Sequence, residues 1–322
     1  MPDQRHPTAA VYVLGTAHGA TSILGRVLGL MEGATYAGEL RRLWSRGLPP
    51  GRLCGCGRPH NECPIWSQLL TPDAIYLQPN LRVLGRLQER AAPATHSWWH
   101  ALQSLRLRRL PPDSTATGRY MTILRETYKA FASAAGARVV IDTSKNPVDA
   151  ALLALESGIS TYCVEIVRDP RGVVFSQRRR TTRDDVRRSR PLQTVGATVF
   201  WIVSHLTSAV VRRKYGPKRS LLLRYEDFVE RPGEAIAAAS ALVGVAPPDV
   251  ALAPSVRISL PDAHGPDGHG RFRATDLVLN IDDAWETQLH PLDRFLVTVL
   301  ASPFLRRYGY IVGSARRPLR TP

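Results

Sequence analysis

Four apolar residues, Val11-Tyr12-Val13-Leu14, stop abruptly at Gly15, and soon afterwards an apolar series at helical spacing begins: Ile23, Leu24, Val27, Leu28, Leu30, Met31. A β-branched and aromatic run that ends on glycine and passes into a helical period reads as buried strand, tight loop, helix. The same arrangement recurs. Arg138-Val139-Val140-Ile141 leads through Asp142-Thr143-Ser144-Lys145-Asn146-Pro147 into a helical segment over 148–157. Residues 161–167 form a third strand, a helix begins near Arg171, and 220–223 form a fourth strand. Strands alternating with helices predict an α/β fold of three layers, α/β/α, around a central, mostly parallel sheet. Ligands of such sheets bind beyond the carboxyl ends of the strands, so the loops 15–22, 142–147 and 168–171 are expected to converge.

The 322 residues, 44% of them hydrophobic, can bury a large core. We expect one domain over 1–322, with a Gly-, Pro- and Cys-rich irregular loop at 47–66, a helical insertion at 68–135 and a flexible tail at 313–322. Breaks in the insertion are expected at Pro79, Pro93 and Pro111-Pro112. The apolar run ending at Leu14 is too short for a signal peptide. The apolar stretch 198–211 is interrupted by Ser204, His205, Thr207 and Ser208. It falls short of the roughly 18 apolar residues of a membrane span, so a soluble, cytoplasmic chain is expected. Lysine plus arginine number 43 against 27 acidic residues, for a formal charge of +16. That excess favours anionic partners without choosing among them. The arginine run 178–190 lacks the interleaved aromatics of a nucleic-acid surface, which disfavours nucleic acid as the main partner.

The first loop, Gly15-Thr16-Ala17-His18-Gly19-Ala20-Thr21-Ser22, is made of small residues and ends in hydroxyls. Small residues let backbone approach an anion, and the helix start adds free N–H groups and the positive end of a dipole. It reads as a phosphate cradle. A Walker loop would place Gly-Lys before the hydroxyl, and the loop contains no lysine, which disfavours ATP or GTP hydrolysis. The third strand runs into Arg168-Asp169-Pro170-Arg171-Gly172, with Ser176 two turns into the following helix. An arginine at a strand end is a natural fork for a second phosphate, and Ser176 can add a hydroxyl.

These pieces, in this order, resemble the sulfotransferases that use PAPS (3'-phosphoadenosine-5'-phosphosulfate), particularly their bacterial and carbohydrate-type branch. The matching segments are the cradle, Asp142 to Lys145, the Arg-Asp-Pro-Arg-Gly stretch with its later serine, Arg224-Tyr225-Glu226-Asp227-Phe228, His264 to Arg273, Asp282-Asp283-Ala284-Trp285 and Tyr308-Gly309-Tyr310. The resemblance implies a P-loop-like sulfotransferase fold in which Gly15, Thr16, Ala17, His18, Gly19, Ala20, Thr21 and Ser22 hold the 5'-phosphosulfate. It implies that Arg168 and Ser176 hold the 3'-phosphate and that Arg271, with Arg273 second, contacts phosphate from a segment closing over the donor. It implies Glu39 as the base for an acceptor hydroxyl, in a carbohydrate or natural product. It implies no metal requirement, and it leaves oligomeric state open. Relatives carry arginine or lysine where this chain has His18. Protonated His18, or Lys145 from the neighbouring loop, is expected to meet the leaving oxygen; the alternative is a nucleotide- or polyanion-binding chain whose chemistry is weak or lost.

Cys54, Cys56 and Cys63 lie close in sequence with His60 among them, enough for a tetrahedral zinc site. Similar segments in bacterial relatives imply a fold-stabilising feature near the acceptor entrance, and a disulfide from Cys63 to Cys54 or Cys56 is the rival. Cys163 reads as a buried core thiol and His205 as a satisfied buried histidine. Trp98 and Trp99 in the insertion are candidate walls of an acceptor cleft.

Overall fold

The computed structural model describes residues 8–46, 53–71, 81–93, 97–179, 189–266 and 275–311. Its centre is a five-stranded sheet in the order β2-β3-β1-β4-β5. The strands are β1 (Ala9–Leu14), β2 (Ala34–Gly38), β3 (Val139–Asp142), β4 (Ser160–Val167) and β5 (Ser220–Arg224), and every pairing is parallel. The expected α/β architecture holds. One strand was not foreseen: Ala-Thr-Tyr-Ala-Gly of β2 has no contiguous β-branched run, and it is a strand because it pairs with β3 from Ala34↔Val139 onward.

β1 is buried along its whole length, and its alternate side chains enter different cores. Ala10, Tyr12 and Leu14 pack with Tyr128, Phe131 and Leu152, whereas Ala9, Val11 and Val13 pack with Leu24, Phe228 and Ile236. This period of two is why the strand is apolar throughout. Each such Val or Leu contributes roughly 1.5–3 kcal/mol of burial.

The insertion is helical as expected, with Leu81–Ala91, Ser97–Leu105 and Ala116–Ala134 packed on the Tyr12 side of the sheet. Thr115 caps the last of these by accepting from the Gly118 amide at 3.0 Å. The expected breaks at Pro93 and Pro111-Pro112 fall between helices, while Pro79 lies outside the described residues.

Pro191–Tyr215 is long and apolar enough, by length and composition, to cross a membrane, contrary to the reading of its interrupted apolar run. In the structure it packs against β4 and the helix Pro147–Leu153. Its His205 Nδ1 lies 2.7 Å from Glu165 Oε1, and Arg212 donates to Glu165 Oε2 at 2.6 Å. Burial alone would raise the Glu165 carboxyl, but His205 and Arg212 more than offset it and hold it low. His205 therefore has a buried partner at Nδ1, while its Nε2 is buried without a hydrogen-bond partner among the described residues, and Cys163 is a buried core thiol. A short antiparallel pair, β6 (Arg257–Ser259) and β7 (Asp276–Val278), was also unforeseen.

Candidate anion-binding site

β1 lies between β3 and β4, so the loops leaving these three strands share one end of the sheet. In the first of them His18 and Ala20 adopt left-handed backbone, with φ of 64° and 68°. Left-handed residues set among right-handed ones turn successive amide N–H groups inward, forming an anion nest. Each non-glycine residue in that conformation costs about 1–2 kcal/mol. Ala20 is also the cap position of the helix Thr21–Leu28, where no side chain bonds the first turn and no acidic residue occupies it. Thr16 Oγ1 is buried without a hydrogen-bond partner among the described residues. Strained backbone, an open helix start and an orphaned hydroxyl together fit an anionic group such as a phosphosulfate. Gly15 admits no side chain, since a Cβ there would stand 2.9 Å from the Ile166 carbonyl oxygen.

Arg168, just past β4, donates from Nη1 to the His18 carbonyl at 3.1 Å. Ser176 Oγ lies 3.3 Å from His18 Nδ1. The residues expected to hold a second phosphate thus meet the cradle at His18. The Arg168 guanidinium stacks over Tyr225, 4.6 Å from the ring centroid. Its Nη2 donates to the Asp282 backbone carbonyl at 3.0 Å and to Asp282 Oδ2 at 3.1 Å. Arg179 reaches the same Oδ2 at 3.1 Å. Asp282 places an internal carboxylate between two arginines. In the sequence Asp282 stands out only as part of the segment Asp282-Asp283-Ala284-Trp285; its approach to the two arginines comes from the fold.

The loop after β3 joins through Tyr36, whose hydroxyl lies 3.1 Å from Thr143 Oγ1 and also hydrogen-bonds Ser22. Glu39 follows β2. Lys145 Nζ donates to Glu39 Oε1 at 2.6 Å, and Arg42 Nε pairs with Oε2 at 2.6 Å. Both oxygens of the expected base are engaged, and Lys145, expected at the leaving oxygen, is turned to Glu39. Burial pulls the Lys145 ammonium below the ordinary lysine value despite that carboxylate. Arg271 and Arg273 lie outside the described residues, as do most of the arginine run 178–190 and the tail 313–322.

A buried polar layer supports these loops. Arg41 pairs with Asp149 at 3.1 Å, and the hydroxyls of Tyr12 and Tyr120 donate to Asp149 at 3.2 and 3.0 Å. Asp142 accepts from Tyr128 Oη and the Ser144 amide, both at 2.8 Å. Burial pushes its carboxyl up to about 6.

The cysteine cluster corrects one expectation. The four ligand-bearing residues that converge are Cys54, Cys56, Cys63 and His264, with one ligand atom from each within 4.8 Å of all the others. His60 is not among them; it packs edge-on to Trp66, with ring centroids 6.0 Å apart. The four cysteines are free thiols in the structure, with Cys54 Sγ and Cys63 Sγ 3.5 Å apart.

No family model matches the chain, and no curated protein matches it. Among solved structures, the sulfotransferase domain of the Synechococcus PCC 7002 olefin synthase is 18% identical, covering 94% of this chain and 96% of that one, with a TM-score of 0.47. The likeness is to sulfotransferases. The sulfotransferase domain from the curacin biosynthetic pathway is 13% identical, with 93% and 98% covered and a TM-score of 0.48. A sulfotransferase from Alicyclobacillus acidocaldarius is 15% identical, with 95% and 96% covered and a TM-score of 0.44. Likeness at this level carries nothing about chemistry, so a functional reading has to come from the residues themselves.

Proposed function

We propose that the chain moves the sulfuryl group of PAPS to an acceptor hydroxyl and releases PAP. The observation that supports this best is the meeting at His18 of two anion-binding groups: the nest of residues 15–22 and the Arg168–Ser176 pair, 3.1 and 3.3 Å away. A donor with phosphates at both its 5' and 3' positions matches two adjoining anion sites, whereas ATP matches the first alone. In the transfer, an acceptor oxygen forms the new bond to sulfur as the bond from sulfur to the 5'-phosphate oxygen breaks. The acceptor proton passes to a base, Glu39 in this reading, and the electron pair leaves on PAP, met by His18 or the N–H groups of the nest. Arg271 and Arg273 belong to this reading as further phosphate contacts. The acceptor is a carbohydrate or natural-product hydroxyl. The exposed, edge-to-face pair Trp98 and Trp99 supplies an aromatic wall suited to either class. No metal takes part in the transfer.

A second reading is favoured by one observation. Glu39 has both oxygens paired with cations at 2.6 Å, as suits a chain that binds nucleotide or polyanion and no longer turns over. Calorimetry with PAP, AMP and ATP on wild type and Arg168→Ala tests the donor site. PAP binding that falls more than tenfold on loss of the 3'-phosphate or of Arg168 supports it, because charge-assisted hydrogen bonds contribute about 1.5–3 kcal/mol each. PAP binding no tighter than AMP overturns it. Turnover with PAPS and an acceptor panel then separates the two readings.

A further inference from the structure

The cysteine cluster has the geometry of a closed metal site, independent of the proposed transfer. Cys54 Sγ and Cys63 Sγ are 3.5 Å apart, Cys63 Sγ lies 3.3 Å from His264 Nδ1, and Cys54 Sγ lies 4.0 Å from the same nitrogen. Four-coordinate zinc with sulfur at about 2.3 Å and nitrogen at about 2.0–2.1 Å separates its ligands by roughly 3.8 Å (sulfur to sulfur) and roughly 3.6 Å (sulfur to nitrogen). These three edges lie within about half an ångström of those values, and the edges to Cys56 Sγ are no longer than 4.8 Å. We propose that Cys54, Cys56, Cys63 and His264 bind a single structural zinc ion.

Three features support this beyond proximity. Backbone hydrogen bonds reach each sulfur: from Cys56 to Cys54, from Arg58 to Cys56, and from Ile65 and Trp66 to Cys63. Amides donating to sulfur orient the ligands. The two segments are also locked together away from the ligands. Trp66 Nε1 donates to the His264 carbonyl at 2.7 Å, and the Gly55 amide donates to the Gly265 carbonyl at 3.3 Å. Finally, thiolates with one imidazole form a soft donor set that suits zinc, and four protein ligands leave no open position for catalysis. The ion would join two segments 201 residues apart in the chain, measured from Cys63 to His264. It would hold the loop 263–266 against Gly38, whose neighbour is Glu39.

The test is elemental analysis of the full chain purified under reducing conditions, followed by replacement of the metal with cobalt(II). One zinc per chain, and cobalt bands of a tetrahedral, thiolate-ligated centre, are expected. His264→Ala should weaken cobalt affinity by at least about tenfold, while His60→Asn keeps both the stoichiometry and the spectrum. The proposal is overturned if reduced wild-type protein carries no zinc and takes up cobalt without a tetrahedral spectrum. It is equally overturned if His60→Asn loses the metal and His264→Ala retains it. The wild-type measurements decide the matter even where a variant fails to fold.

Discussion

Arg168 and Asp282 form an ion pair at 3.1 Å in which the carboxylate stands where an arginine fork would otherwise receive an anion. Arg179 shares the same oxygen. In the proposed reading, a phosphate arriving at Arg168 displaces a resident acid. Asp282→Asn should tighten PAP binding by roughly three- to fivefold, since a partly exposed pair of this kind contributes about 0–1 kcal/mol. Calorimetry on the variant checks it, and unchanged or weaker binding means that Asp282 does not compete with the nucleotide.

Glu39 is the group on which turnover and binding should part. In the enzyme reading Glu39→Gln lowers the rate by about 10²- to 10⁴-fold, the usual contribution of a positioned base, with PAP affinity unchanged. Single-turnover assays with PAPS measure the first and calorimetry the second. A variant as active as wild type removes Glu39 from the chemistry.

Gly38 has φ of +73°, and a Cβ there would stand 2.8 Å from the Gly265 Cα. Gly38→Ala combines left-handed strain with a backbone collision, so a loss of more than about 1–2 kcal/mol of stability is expected. Denaturant melts of wild type and variant test this. A loss within the noise would show that the two backbones can separate at little cost.

Asp142 gives a pH signature. Its carboxyl is raised by burial to about 6, so folding favours the protonated form. The stability this preference provides is present at low pH and lost as pH rises through about 6. Because Asp142→Asn cannot ionise, its stability relative to wild type should improve by up to about 3 kcal/mol between pH 4 and pH 8. Melts of both proteins across that range measure the difference, and parallel curves would contradict the raised value.

Much of the frame was legible because β1, β3, β4 and β5 are mostly apolar, with the buried Glu165 of β4 the exception, and buried parallel strands need little else. β2 escaped because alanine and glycine carry little strand preference of their own; its partner β3 makes it a strand. The cradle could be read from Gly15 to Ser22, since its small residues and helix start adjoin in sequence. What stayed hidden depends on distant approach: His264 beside Cys63, Lys145 and Arg42 around Glu39, Asp282 against Arg168. His60 looked the natural fourth ligand by sequence proximity, yet local backbone turns it to Trp66.

The His264 amide lies 3.5 Å from the Tyr36 carbonyl on β2, an outermost strand of the sheet. The loop that carries His264 therefore occupies one of the backbone groups that another chain could otherwise pair with. Unpaired edge strands template intermolecular association. Loosening this loop should show itself first as turbidity and oligomers that grow with protein concentration, before any change at Arg168 or the cradle.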